Sequence, residues 1–375
     1  MKRQAHPGEA VWRKWVLFGA AVCMSMAVAE SAMRMWEKRV AVSDRMDPGL
    51  VRHDAELGWV LSPSWRGEHR HADFHVQYSV DGLGLREDPQ SPRARRGRLL
   101  VVMGDSFTFG LGVNDRETFV SVLNRESSNT WWNYGVPGYS TDQECLSLER
   151  DVMRRHPDGV LLVHYLGNDA LDNPRAVPLQ VRASKPFFNV QSGQLILSNS
   201  PVPVDVPPGT AIGGDLVSAV LPSNRKESWL SRWGHRSALA RRILAMIPTD
   251  SDGVDWGSGL ADELVLSDLL VQRARDTARK GAATFVLVLM PGRSWVEAPR
   301  SLSAGYQEFL RARILSDARK AGIEVIDLGT GLREEWKNEG ARLYHPNEGH
   351  LTPRGHEVVA KQLRDWETAF NAGRR

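Results

Sequence analysis

The sequence predicts an α/β fold built on a five-stranded parallel sheet, and three observations carry that expectation. Strand-like runs recur at 99–103, 131–134, 160–166, 284–290 and 323–328. Helical patterns separate them, the alternation that builds a parallel sheet. Three of the runs end beside glycine and small polar residues: Gly104-Asp105-Ser106, Asn133-Tyr134-Gly135 and Gly167-Asn168-Asp169. Composition agrees, since 42% hydrophobic and 25% charged residues suit a globular chain with a real core. A length of 375 residues fits two average domains or one large domain with insertions. A net charge of +3 without a long basic run is not a nucleic-acid footprint.

At the amino terminus, Lys2, Arg3, Arg13 and Lys14 precede an uncharged run from Trp15 to Ala29. A basic region followed by an apolar one is a targeting or membrane element, so residues 1–36 are set apart from the fold. The run alone is shorter than the ~20 residues a spanning helix needs, but Ser31-Ala32-Met33 extends it past Glu30. Ala27-Val28-Ala29 before Glu30 also fits a small-x-small cleavage site. A cleaved signal and an uncleaved anchor flanked by Trp12 and Trp36 therefore both fit, and the anchor is preferred. Either way the basic end stays in the cytoplasm and the remainder is expected outside it.

Residues 37–97 read as a small β-rich lead-in, with Phe74-His75-Val76-Gln77-Tyr78-Ser79-Val80 alternating like a half-exposed strand. Arg93, Arg95, Arg96 and Arg98 then form a solvated linker face. From Leu99 the alternation begins. The continuous apolar run Leu99–Met103 predicts a strand covered on both faces. Helices are expected near 116–125 and 142–155, with strands at 131–134 and 160–166 around them. Residues 172–258 break the rhythm with many prolines, a Gly193 turn and Gly213-Gly214. They read as an insertion forming a lid or a partner surface. Its basic amphipathic stretch, with Trp229, Trp233, Leu239, Ile243 and Leu244 among Arg232, Arg236, Arg241 and Arg242, is expected to pack on the core rather than on a membrane. Helices near 261–280 and 304–320, strands at 284–290 and 323–328, and a helix beginning near Pro353 complete the sheet.

Parallel strand ends share one edge, where open α/β sheets place their sites. Ser106, Gly135 and Asn168 therefore meet, and Glu348-Gly349-His350-Leu351-Thr352-Pro353-Arg354-Gly355-His356 brings an imidazole and a carboxylate. A hydroxyl, a base, an orienting acid and donors for an oxyanion are the parts acyl transfer needs. Asp105 and Asp169 fit as turn or cap residues that support Ser106 and Asn168 rather than as metal ligands. Gly110-Leu111-Gly112 lacks the Lys-Ser/Thr of a phosphate loop, and no cofactor or metal is called for. Cys145 reads as core and Cys23 as part of the apolar segment, so no disulfide within the chain is expected. Of thirteen tryptophans, most are expected in the core and a few on the surface, where they would suit stacking on sugar rings.

These four segments resemble, in order and spacing, the four blocks of the SGNH/GDSL hydrolase family. The resemblance covers about residues 99–170 and 260–368. It implies a flavodoxin-like three-layer fold and a serine esterase with Ser106 as nucleophile and His350 as base. The amides of Ser106 and Gly135 and the side chain of Asn168 would hold the oxyanion. Leu57-Gly58-Trp59 and Gly82-Leu83-Gly84-Leu85-Arg86 resemble the lead-in of exported bacterial members. His345-Pro346-Asn347 offers a competing histidine, but Gly355, His356 and Ala360 align His350 with the closing helix. His356 is expected on the helix surface or at a cap. The sequence departs from the family at the carboxylate, with Asn347 three residues before His350 and Glu348 two before. Glu348 is expected either to orient His350 or to leave a Ser106–His350 dyad. Substrates implied are acylated glycans or small esters, most simply O-acetyl groups on an envelope or extracellular polysaccharide. The membrane and envelope polysaccharide machinery are the implied partners. Rival readings are a polysaccharide O-acetyltransferase, which the Glu-x-His spacing resembles, and a silent glycan-binding assembly protein.

Overall fold

A computed structural model describes residues 7–91, 96–204, 237–246 and 254–372. Lys2, Arg3, Arg93, Arg95, Gly213-Gly214 and the 229–236 part of the expected basic helix lie outside these. The chain divides into two units: residues 1–44 with 224–248, and residues 45–223 with 249–375.

The first unit contains helix α1 (Pro7–Ser43), which runs past residue 36. Its stretch Trp12–Ser43 is long and apolar enough to cross a membrane, and none of its residues is fully buried. Among the described residues, the exposed tryptophans are Trp12, Trp15 and Trp36, all on this helix, and Trp229 and Trp233 lie outside the described residues.

The second unit opens with five short strands: β1 (Arg45–Met46), β2 (Val51–Asp54), β3 (Gly58–Leu61), β4 (Arg66–Arg70) and β5 (His75–Ser79). They form two small antiparallel sheets, one of β1, β4 and β5 and one of β2 and β3. Leu50, Leu61, Val76, Tyr78 and Val80 pack with Phe109 into a satellite core. The lead-in is β-rich, as its alternation predicts.

The main sheet begins at β6 (Leu99–Gly104). Then come the short helix α2 (Ser106–Phe109), α3 (Phe119–Glu126), β7 (Thr130–Gly135), α4 (Thr141–Ser147), β8 (Gly159–Tyr165) and α5 (Asp169–Asp172). The helix expected from 116 is interrupted at Thr118, whose side chain accepts the N–H of Ser121 and starts α3. The helix expected over 142–155 leaves α-geometry after Ser147 for a wide turn at Leu148–Val152, which buries both of its end residues. The Gly193 turn joins the hairpin β9 (Phe187–Gln191) and β10 (Gln194–Ser198).

The described part of the basic stretch is helix α6 (Ala238–Met246). It packs on α1 and belongs to the first unit. The reason is Glu30, whose carboxylate accepts the N–H of Ala238 and Leu239 and the Ser237 hydroxyl, each within 3.0 Å. Those donors have no intrahelical partner, and Arg242 adds a contact 4.5 Å over the Trp36 ring.

The remaining elements of the second unit are α7 (Trp256–Gly259), α8 (Ala261–Lys280), β11 (Thr284–Met290), α9 (Arg293–Glu297), α10 (Leu302–Lys320), β12 (Glu324–Asp327), α11 (Leu328–Glu339) and α12 (Pro353–Ala372). The sheet runs β12-β11-β8-β6-β7, every neighbour parallel. In chain order this is 2-1-3-4-5, the flavodoxin-like arrangement, with its switch point between β6 and β8. Alternate residues face opposite layers. Leu99, Val101, Met103, Val160 and Leu162 enter one core with α8 and α10 residues. Leu100, Val102, Leu161 and Val163 enter the other with α3, α11 and α12 residues. Helix α11 is the element the sequence hides, because Gly329 and Gly331 are poor helix formers. A Cβ at Gly331 would meet the amide end of the Gln362 side chain of α12 at 2.5 Å, so the two helices pack closely there.

Candidate active site

Register places the ends of β6 and β7 side by side, with Gly104 opposite Gly135, and Met103 opposite Leu162 of β8. Asp105 follows β6 and accepts the N–H of Phe107 at 2.8 Å, starting α2 with Ser106 as its first residue. The Ser106 N–H thus has no partner within the helix, and its side chain stays half-exposed at the sheet edge.

The loop before α12 delivers the imidazole. Its ends are tied by the Tyr344–Leu351 bridge, and the His345 N–H donates to the His350 carbonyl at 2.8 Å. His350 Nε2 lies 2.6 Å from Ser106 Oγ, and its Nδ1 lies 2.5 Å from Glu348 Oε1. The other Glu348 oxygen accepts the His350 backbone N–H at 2.9 Å. The His350 ring also packs on Phe107 at 4.5 Å between centroids. Burial alone would lower the His350 pKa, but the Glu348 charge and hydrogen bond, helped by Asp105, raise it above the ordinary histidine value. Burial likewise opposes Glu348 ionisation, and the facing imidazole overcomes it, leaving the carboxyl below its usual pKa.

The competing histidine is directed elsewhere. His345 Nε2 meets the Gly112 carbonyl at 3.1 Å, and its ring packs on Phe74. His356 is not a surface residue but is buried, and its Nδ1 accepts the first N–H of α3 from Phe119 at 3.2 Å. It therefore caps a neighbouring helix rather than its own, and burial lowers its pKa to about 3.

Asn168 lies in the turn between β8 and α5 and is buried, with Nδ2 donating to Asp172 at 2.9 Å and a second N–H on that nitrogen left over among the described residues. Asp169 accepts the Tyr165 N–H at 2.8 Å, so Asp105 and Asp169 each hold a backbone turn. Gly135 departs from its expected role. Its N–H donates to Asn133 Oδ1 at 2.9 Å, and it is buried against α2, where a Cβ would lie 2.1 Å from the Phe109 nitrogen. The glycine is required for packing. Gly138, three residues on, is half-exposed, and its N–H meets no acceptor among the described residues. The Pro137-Gly138 turn dipeptide is the sequence signal that could have pointed there.

Behind the edge lies a cluster that sequence reasoning missed. Asp105, Glu144 and Asp169 are all buried, and both Glu144 oxygens lack a hydrogen-bond partner among the described residues. Burial pushes the Asp105 pKa up to about 6 against the pull of His350, and raises Glu144 and Asp169 well above the carboxylate range, aided by mutual repulsion. Beside them Lys185 and Asp142 form a fully buried ion pair. From the lead-in, Arg86 pairs with Asp115 at 2.8 Å and donates to the carbonyls of Phe109, Gly110 and Val113, holding the loop after α2.

No family model matches this chain, and no curated protein sequence matches it. Among solved structures it is similar to a lipolytic G-D-S-L family protein from Veillonella parvula, at 15% identity over 72% of this chain and 97% of that one, TM-score 0.36. It is similar to an acetylxylan esterase from Geobacillus stearothermophilus, at 12% identity over 72% and 94%, TM-score 0.36. A third, a lipolytic G-D-S-L family protein from Desulfitobacterium hafniense, is 13% identical over 71% and 99%, TM-score 0.37.

Proposed function

We propose that this chain is a serine esterase of the SGNH type. The observation that carries the reading is the continuous line from Ser106 Oγ through His350 to Glu348, at 2.6 and 2.5 Å. His350 Nε2 takes the Ser106 proton as Oγ attacks an ester carbonyl. Glu348 holds the Nδ1 proton and stabilises the imidazolium, which then protonates the leaving alkoxide. Water, activated by the same nitrogen, releases the acyl group from Ser106. The oxyanion is met by the N–H of Ser106, the free N–H of Asn168 and the N–H of Gly138 in place of Gly135. Each such donor contributes about 3 kcal/mol to lowering the barrier. The Glu348 contact supports a triad over a dyad.

The substrate class we propose is O-acyl esters, most simply O-acetyl, on an envelope or extracellular polysaccharide. The basic amino terminus and the apolar span Trp12–Ser43 support an extracytoplasmic, membrane-anchored enzyme preceded by a short cytoplasmic tail. Residues 45–97 then serve as lead-in, beginning after α1, and 98–375 as the catalytic domain. Transfer of the same acyl group to a sugar hydroxyl is a second reading, favoured by the Glu-x-His spacing around the observed Glu348–His350 contact.

A fluorophosphonate probe and p-nitrophenyl acetate test the reading directly. The wild type should label and hydrolyse, and Ser106→Ala should do neither. Equal activity in both would refute it. Adding an acceptor glycan separates the second reading, since acetyl transfer would then outpace hydrolysis.

A further inference from the structure

Glu348 is a long side chain asked to do the work of a shorter one, so its own backbone must be fixed for it to aim. The structure fixes it from the lead-in, 275 residues away in sequence. Asp73 sits at the tip of the β4–β5 hairpin, where His71 and Phe74 exchange backbone hydrogen bonds. Its side chain is 4% exposed, and one carboxylate oxygen accepts the backbone N–H of Asn347 at 2.7 Å and of Glu348 at 2.9 Å. The other oxygen accepts the Asn347 side-chain amide at 2.6 Å. Asn347, which stands where the family resemblance leads one to expect an aspartate, is thereby turned to Asp73. The adjacent Phe74 packs on His345 at 5.0 Å, closing the hairpin tip over the same loop.

We propose that Asp73 is a positioning residue of the esterase, acting through the Glu348 backbone to aim the carboxylate at His350. The inference rests on the esterase reading above and makes the lead-in a working part of the site. The hydrogen bonds from Asn347 and Glu348 outweigh burial and keep Asp73 below its ordinary pKa, so it remains an acceptor throughout the working pH range. When the aim is lost, the Glu348 charge no longer raises the His350 pKa, and the base weakens.

The test is a double-mutant cycle on the full chain with p-nitrophenyl acetate. Asp73→Ala should lower kcat at least 10-fold with KM changed less than 2-fold. The acid limb of its pH–rate profile should move to lower pH, as in Glu348→Gln. Added to Glu348→Gln, Asp73→Ala should cost less than 2-fold, because the residue it positions is already disabled. If Asp73→Ala does not fold, Asp73→Asn carries the same measurements at unchanged size. Fluorophosphonate labelling of the wild type separates the two readings. A wild type that labels, with Asp73 variants that keep its rate and pH limb or lose activity additively with Glu348→Gln, overturns the positioning role alone. A wild type that does not label removes the esterase and this inference together.

Discussion

Glu348 reaches His350 twice, at Nδ1 and at the backbone N–H, because a carboxylate two residues upstream can fold back over Gly349 when it has one methylene more than aspartate. The pH dependence follows from its charge. His350 accepts a proton only when neutral, and its pKa is raised, so activity should rise with pH through a limb above the ordinary histidine value of about 6.5. Glu348→Gln removes the charge that raises it. The limb should then move to lower pH while kcat falls on the order of 100-fold or more, and kcat/KM against pH checks both. An unmoved limb would show that Glu348 does not act on the imidazole. Ser106 and Asn168 were legible because each follows a strand end, and His350 through the resemblance of its closing helix to the family, with Glu348 two residues before it. Gly135 was misread because a turn three residues long decides which glycine keeps a free N–H. Asp73 had no signal, since nothing local ties it to residue 347.

At the scale of elements, the strands were the easiest to see and the partner of helix α6 the hardest. A short basic amphipathic helix reads equally well against a core or against another helix. The decision lies with Glu30, a carboxylate in an otherwise apolar run, which is costly there unless it finds donors. The first turn of α6 supplies them, and the partial positive charge at a helix start favours the contact. A helix of nine residues is marginal by itself. Glu30→Ala should therefore loosen the start of α6, as losing an N-cap does. Hydrogen exchange in the full chain should show the amides of Ala238–Met246 losing protection by roughly tenfold. Unchanged protection would mean that the helix is held by something else. Helix α11 was missed for the opposite reason, since its glycines lower local helix propensity while Gly329 faces Trp295 and Gly331 faces Gln362 of α12.

At the scale of the whole molecule, a sheet covered on both faces buries the ends of its connections together with the polar groups they carry. Glu144 is one of these, packed near Asp105 and Asp169 with no partner for either oxygen among the described residues. Its folded pKa is raised, so the folded state holds a proton that the unfolded chain releases near pH 4.3. The stability this contributes is full below that value and is lost as pH rises, by about 1.4 kcal/mol per pH unit until the folded group itself ionises. Glu144→Gln has the same shape and cannot ionise. Its Tm should exceed that of the wild type at pH 8, with the gap closing toward pH 5. Parallel curves would show that Glu144 is ionised in the fold. By itself, the sequence determined the sheet, its strand boundaries and the four segments along its active edge. Alternation and strand-end chemistry are local, and parallel strands have only one edge to share. Tertiary structure alone decided which N–H groups remain free, which carboxylates are buried together and which distant aspartate meets the backbone of Asn347 and Glu348. Those depend on burial and on contacts between residues hundreds of positions apart, where local pattern carries no information.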